Sequence, residues 1–170
     1  MNKAIFLDRD GTINIDKDYL YKIEDFEYIS GVVEALKQLQ DMGYLLIVIS
    51  NQSGIARGFY SEDDYLIIDR WMKDDLKSRG VNITASYYCP HHPKALVKKY
   101  RCECNCRKPN TGLFWQAQKD FDIDMSKSIA IGDKERDIAI CKEAPVRGIL
   151  IDCNKKWSNV ISDIRNKHKD

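Results

Sequence analysis

Four short apolar runs dominate this sequence: Ala4–Leu7, Tyr44–Ile49, Ile129–Ile131 and Ile149–Ile151. None of them alternates with polar residues. A strand with one wet face alternates, so unbroken runs suit strands covered on both faces, as in a parallel sheet between helices. The segments between them carry helical spacing. Val33, Leu36 and Leu39 recur at threes between Ser30, the expected N-cap, and Gly43, the expected stop. Ser61 and Asp64 make a capping-box start for a helix with Tyr65, Ile68, Met72 and Leu76 on one face. Further helices are predicted after Thr111, from near Asp133 to Ala144-Pro145, and from Trp157 to Ile164, with a fifth strand over Ser86–Cys89. The alternation predicts an α/β fold, an open, doubly wound, mainly parallel sheet, as one domain over residues 1–170. The charged tail after Asp152 is expected to fray.

Charge and cysteine usage narrow the function classes. Lys and Arg number 27 against 26 Asp and Glu, a net charge of +1. That balance gives no overall attraction to nucleic acid or an anionic membrane. The apolar runs fall well short of the ~18 residues needed to span a bilayer. Asp8 and Asp10 also interrupt the N-terminal apolar stretch where a signal peptide would continue. The expectation is a cytoplasmic protein without nucleic-acid or membrane partners. It is expected to be monomeric, since no apolar surface stripe is evident. Four of the six cysteines, Cys89, Cys102, Cys104 and Cys106, crowd together, which reads as metal binding rather than a disulfide framework.

Asp8 and Asp10 stand two residues apart at the carboxyl end of the first predicted strand, before Gly11. Open α/β sheets bind ligands at that edge. One carboxylate can attack an electrophile while the other handles protons, and together they can share a cation. Taken alone, the same residues also suit a polar strand end with an Asp-Gly turn. The stretches beyond them decide between the two. Asp8-x-Asp10-Gly11-Thr12, Ser50-Asn51-Gln52, Arg107-Lys108-Pro109 and Gly132-Asp133-x-x-x-Asp137 follow in order, each at a predicted strand end or loop. Together they resemble the four motifs of the haloacid dehalogenase-like phosphohydrolases.

The resemblance implies a Rossmann-like, haloacid dehalogenase-like fold and phosphoryl transfer. Asp8 would be the nucleophile, forming an aspartyl-phosphate. Asp10 would be the general acid and base, with a pKa raised by neighbouring anions. Ser50 and Lys108 would hold the phosphoryl group. Mg²⁺ would sit on Asp8, Asp133 and the main-chain carbonyl of Asp10, a hard cation among oxygens. For Asp137, a supporting role around the metal and a solvated helix position remain equally open.

Pro90–Asn110 has no apolar period, and a loop of ~20 residues in a compact domain needs a reason. Cys89-x-His91 and the C-x-C pairs downstream form a thiolate and imidazole set suited to tetrahedral structural Zn²⁺. Cys102, Cys104 and Cys106 compete for the last two places. Cys104 and Cys106 are preferred because they run directly into Arg107-Lys108-Pro109, which leaves Cys102 spare and His92 packing or hydrogen-bonding. A closed site of this kind would staple the loop over residues 89–109 and present Arg107 and Lys108.

Cys-x-His…Cys-x-Cys-Arg-Lys-Pro, with Ser50 to Gly58 (Ser-Asn-Gln-Ser-Gly-Ile-Ala-Arg-Gly), closely resembles the D-glycero-D-manno-heptose-1,7-bisphosphate 7-phosphatases. Their near relatives include the histidinol-phosphate phosphatases. The match implies a phosphorylated sugar substrate contacted by Asp16, Lys17, Asp18, Tyr19, Ser50, Asn51, Gln52, Ser53, Arg107, Lys108 and Lys134. Arg107 would clamp the phosphate that is not cleaved. A solvated loop is an equally good reading of Lys17 and Asp18. The resemblance further implies heptose supply for lipopolysaccharide or capsule. Ser50 replaces the more usual Thr of that family, and Pro145 stands where a Gly-Val exit is usual. The gaps between motifs leave no room for a large cap domain. The rival readings are a histidinol-phosphate phosphatase and, from another class, a zinc-dependent nucleic-acid-binding module.

Overall fold

In the computed structural model, which describes residues 1–157 and 159–166, β1 (Lys3–Leu7) is the centre of a five-stranded sheet. With β2 (Tyr44–Asn51), β3 (Ile83–Cys89), β4 (Ile129–Gly132) and β5 (Arg147–Leu150), the order is β3-β2-β1-β4-β5, and every pair is parallel. The chain runs outward from β1 to one side, then returns and runs to the other, which is the doubly wound arrangement. Successive side chains of β1 point to opposite faces. Ile5 and Leu7 join one apolar core with Leu36, Leu39, Leu46, Val48, Met72 and Leu76. Ala4 and Phe6 join a second with Ile47, Ile49, Phe114, Ala117 and Ile140. Burial on both faces is why β1 and β2 lack alternation.

The helices are α1 (Val32–Asp41), a single turn α2 (Ser53–Ala56), α3 (Glu62–Ser78), α4 (Gly112–Phe121) and α5 (Val160–Asn166). The Ser61–Asp64 capping box is present in both directions. Ser30, in contrast, does not cap α1. The N-cap is Gly31, at φ +82°, with no side-chain hydrogen bond. The predicted fourth helix is instead 3₁₀ structure over Glu135–Lys142, kinked at Ile138. Gly132 explains the tight path: a Cβ there would collide with the Asp137 side chain, so the segment folds directly back onto the strand end.

β5 spans Arg147–Leu150 rather than Ile149–Ile151, and half-buried residues alternate with exposed ones along it. It is an edge strand, so its apolar residues never see two covering layers. β3 starts three residues earlier than predicted, at Ile83. The tail is not frayed where it is described. Trp157, Val160 and Ile164 are buried in the first core, and Trp157 Nε1 donates to the Thr12 carbonyl at 2.9 Å. No helix among the described residues is long and apolar enough to cross a membrane.

Candidate functional site

Leu7 pairs with Val48 on one side and Ile131 on the other. Asp8 and Asp133 therefore leave the sheet at its carboxyl edge, beside Ser50 and Asn51, the last residues of β2, which still pair with Tyr88 and Cys89. Lys108 reaches this edge from the long loop. Its backbone N–H donates to Asn51 Oδ1 at 2.9 Å and its carbonyl accepts from Asn51 Nδ2 at 3.0 Å. The Lys108 ammonium lies 2.9 Å from Asp8 Oδ1 and 2.7 Å from Asp137 Oδ1, and donates to the Ile49 carbonyl at 2.7 Å. Burial works against its charge, but Asp8 and Asp137 outweigh burial, so the ammonium is held. Asp137 is a buried partner of Lys108 and not a solvated helix residue.

Asp8 feels burial first, and then the anion of Asp137 and a hydrogen bond with Asp133. These outweigh Lys108 and push its carboxyl up to about 8. Asp8, Asp133 and Asp137 each place an oxygen within 4.8 Å of the others. Asp133 Oδ2 is buried and, among the described residues, has no hydrogen-bond partner. A Cβ on Gly11, which sits at φ +87°, would come within 2.7 Å of that oxygen. Crowded carboxylates with an orphaned oxygen fit a small hard cation.

Asp10 corrects the expectation of a raised pKa. Burial does push it up, but Arg9, Asn14 and Gln52 together hold it below the usual carboxylate range. Arg9 is 1% exposed and donates from Nη2 to both Asp10 oxygens, at 2.9 and 3.1 Å. Asn14 Nδ2 adds a bond at 3.0 Å and Gln52 Nε2 one at 3.1 Å. Asp10 is thus an anion in the resting site, fixed by Arg9 and Asn14 of its own loop and by Gln52 after β2. The same Gln52 amide donates to Ser50 Oγ at 2.7 Å, so that oxygen acts here as an acceptor, and Gln52 Oε1 accepts from Tyr60 OH at 2.6 Å.

A cleft of about 280 Å³ opens over Asp8 and Asp10 and is lined by Asp16, Asp18, Tyr19, Asn51, Gln52, Ser53, Arg107 and Lys134 among others. Of the residues assigned to substrate by resemblance, Lys17 is the one turned elsewhere: its ammonium pairs with Glu27 at 3.3 Å. Ser50 and Lys108 lie buried below the floor. The side chains of Asn51 and Gln52 are taken up by Lys108, Asp10 and Ser50, so they hold the walls in place. Sequence reasoning missed Arg57, Tyr60 and Arg136, which also line the cleft. Both arginines lie inside quoted motifs, yet charge alone does not distinguish a cleft-facing arginine from a solvated one.

The Cys/His set comes together as expected. Cys106 Sγ lies 3.0 Å from Cys89 Sγ, 3.2 Å from Cys104 Sγ and 3.3 Å from His91 Nδ1. Cys89 Sγ is 3.6 Å from Cys104 Sγ and 3.7 Å from His91 Nδ1. A tetrahedron of ligands ~2.3 Å from its centre has edges of ~3.7 Å, so the set is compatible with zinc. Cys102 is exposed and outside the group, and His92 Nδ1 accepts from the Lys94 N–H at 3.0 Å. Glu62 braces the loop, accepting from Tyr88 at 2.6 Å and Tyr100 at 2.7 Å.

The family model described as polynucleotide kinase 3 phosphatase matches residues 3–163. A D-glycero-beta-D-manno-heptose-1,7-bisphosphate 7-phosphatase of Photorhabdus laumondii is 50% identical over 135 residues, 79% of this chain and 72% of its own. A D-glycero-alpha-D-manno-heptose-1,7-bisphosphate 7-phosphatase of the same organism is 49% identical over 136 residues, 80% of this chain and 74% of its own. Among solved structures, a D,D-heptose 1,7-bisphosphate phosphatase from B. bronchiseptica, complexed with magnesium and phosphate, superposes with a TM-score of 0.78. It is 28% identical and covers 95% of this chain and 86% of its own.

Proposed function

The chain belongs to the D-glycero-D-manno-heptose-1,7-bisphosphate 7-phosphatase family of haloacid dehalogenase-like phosphatases, and from this we propose that it removes the 7-phosphate of that sugar bisphosphate. The observation that carries the reading is Asp8 at the head of the cleft, held by Lys108, with Asp10 fixed beside it by a separate set of bonds. With the protein's own groups alone Asp8 is raised and Asp10 lowered, the reverse of what a nucleophile and a general acid need, so both have to shift on binding of a cation and phosphate before the two divide the work.

Asp8 attacks the phosphorus, the sugar oxygen leaves, and water then hydrolyses the acyl phosphate to release inorganic phosphate. Lys108 neutralises the phosphoryl oxygens and the Ser50 hydroxyl donates to one of them. Asp10 enters as an anion. The charge of an arriving phosphate raises its pKa, so that it carries a proton to the leaving oxygen and later takes one from water. Mg²⁺ fits Asp8, Asp133 and the Asp10 carbonyl, where it supplies positive charge to the transferring group. Asp137 then belongs to Lys108. Zn²⁺ fits Cys89, His91, Cys104 and Cys106 and fixes the loop over residues 89–109 that delivers Arg107 and Lys108.

Asp16, Tyr19, Ser53, Arg107 and Lys134 face the sugar and its second phosphate. The whole chain acts as one phosphatase unit, a monomer working in the cytoplasm. Asp8→Asn keeps the shape but removes the nucleophile, and is expected to abolish phosphate release while zinc content and thermal midpoint stay at parent values. Release near the parent rate from that variant overturns the reading.

A further inference from the structure

Three arginines from three separate elements face the same cleft: Arg57 at the end of α2, Arg107 on the zinc loop and Arg136 after β4. All are half-buried, and each has a buried nitrogen with no hydrogen-bond partner among the described residues: Arg57 Nε, Arg107 Nη1 and Arg136 Nε. Among the described residues, no carboxylate lies within ion-pair distance of any of the three. Tyr19 stacks near the Arg57 guanidinium, 5.6 Å from its ring centre. Burial, Arg136 and Arg57 all work against the charge of Arg107. Like charges gathered out of water with open donors destabilise the free protein unless an anion joins them. The phosphoryl end of the cleft has its own cation, Lys108, so the arginines serve something else.

We propose that Arg136, with Arg57, completes a three-guanidinium clamp around the phosphate that is not cleaved, and that Arg136 is thereby a specificity-determining residue for bisphosphates over monophosphates. The proposal rests on the function proposed above. Three planar forks can satisfy all three terminal oxygens of a phosphate monoester, which one fork cannot.

The test compares kcat/KM for heptose 1,7-bisphosphate and heptose 7-phosphate in the parent, Arg136→Ala and Arg136→Lys. The parent prefers the bisphosphate. In Arg136→Ala that preference falls ~10- to 100-fold, chiefly through KM, and Arg136→Lys recovers part of it. An unchanged preference ratio overturns the proposal. A second arm counts inorganic phosphate bound per chain by calorimetry in the presence of Mg²⁺. Two phosphates in the parent and one in Arg136→Ala support the clamp, whereas one in both refutes it. A parent that binds two phosphates but ignores heptose substrates overturns the heptose assignment and keeps the clamp. Thermal midpoints of both variants show whether a loss comes from unfolding.

Discussion

The Lys108 ammonium lies 2.7 Å from the Asp137 carboxylate, and both side chains are 2% exposed. The cation proposed to neutralise the phosphoryl group is therefore held from behind by an acid outside the proposed pair, Asp8 and Asp10. Breaking a buried pair by removing one partner strands the other charge, at about 3–5 kcal/mol. Asp137→Ala is expected to lower unfolding free energy by about that much in a urea titration and to reduce kcat. Asp137→Asn, which can still accept from the Lys134 N–H, is expected to lose less stability. Equal stability of Asp137→Ala and parent contradicts this role.

Metal binding at the carboxylates should depend on pH. Asp8, pushed up to about 8, holds its proton more tightly than an ordinary carboxyl before the cation arrives. A cation must displace that proton, so apparent Mg²⁺ affinity rises with pH and levels off above about 8. Calorimetry in buffers of different ionisation enthalpy should register proton release at neutral pH. A pH-independent affinity contradicts the arrangement of Asp8 against Asp133 and Asp137.

The thiolate site makes a paired prediction. Cys104→Ser removes a member of the tetrahedral set and should lose zinc, thermal stability and activity together. Metal-site energies of about 10–16 kcal/mol in small peptides leave room for a large effect. Cys102→Ser should retain full zinc content, because Cys102 stands outside the group. Metal analysis of both variants checks the assignment, and zinc loss from Cys102→Ser contradicts it.

Trp157 couples the tail to the loop after β1 through its bond to the Thr12 carbonyl. Trp157→Ala empties a buried aromatic site and is expected to destabilise by about 3–5 kcal/mol. Trp157→Phe keeps most of the packing and should cost about 1 kcal/mol for the lost hydrogen bond. Guanidinium unfolding curves compare the two, and a parent-like midpoint for Trp157→Ala contradicts the packing described.

Much of this site is legible in sequence because its chemistry is packed into contiguous motifs. Asp8 and Asp133 each follow a strand, Ser50 stands at the end of one, and Cys89-x-His91 and Cys104-x-Cys106 keep short spacings that survive folding. What the sequence hides depends on contacts between distant segments. Arg9 looks like a solvated residue between two acids, yet it is buried beneath Asp10 and against the Tyr65 ring, 5.6 Å away. The direction of the Asp10 shift follows from Arg9, Asn14 and Gln52 converging on it, and the sequence shows Arg9 next to Asp10 without showing that its guanidinium folds onto that carboxylate rather than into solvent. Ser30 reads as a cap, but Gly31 takes the left-handed turn that admits α1. The tail reads as frayed because Trp157, Val160 and Ile164 sit among charged residues, and only the fold supplies the core they join.

The most direct measurement is phosphate release with Mg²⁺ from both anomers of heptose 1,7-bisphosphate, fructose 1,6-bisphosphate and histidinol phosphate, compared as kcat/KM. The account predicts a preference for a heptose bisphosphate of about 100-fold, ~2.7 kcal/mol of transition-state discrimination. A preference for histidinol phosphate, which offers no second phosphate to the arginine-lined wall, contradicts it.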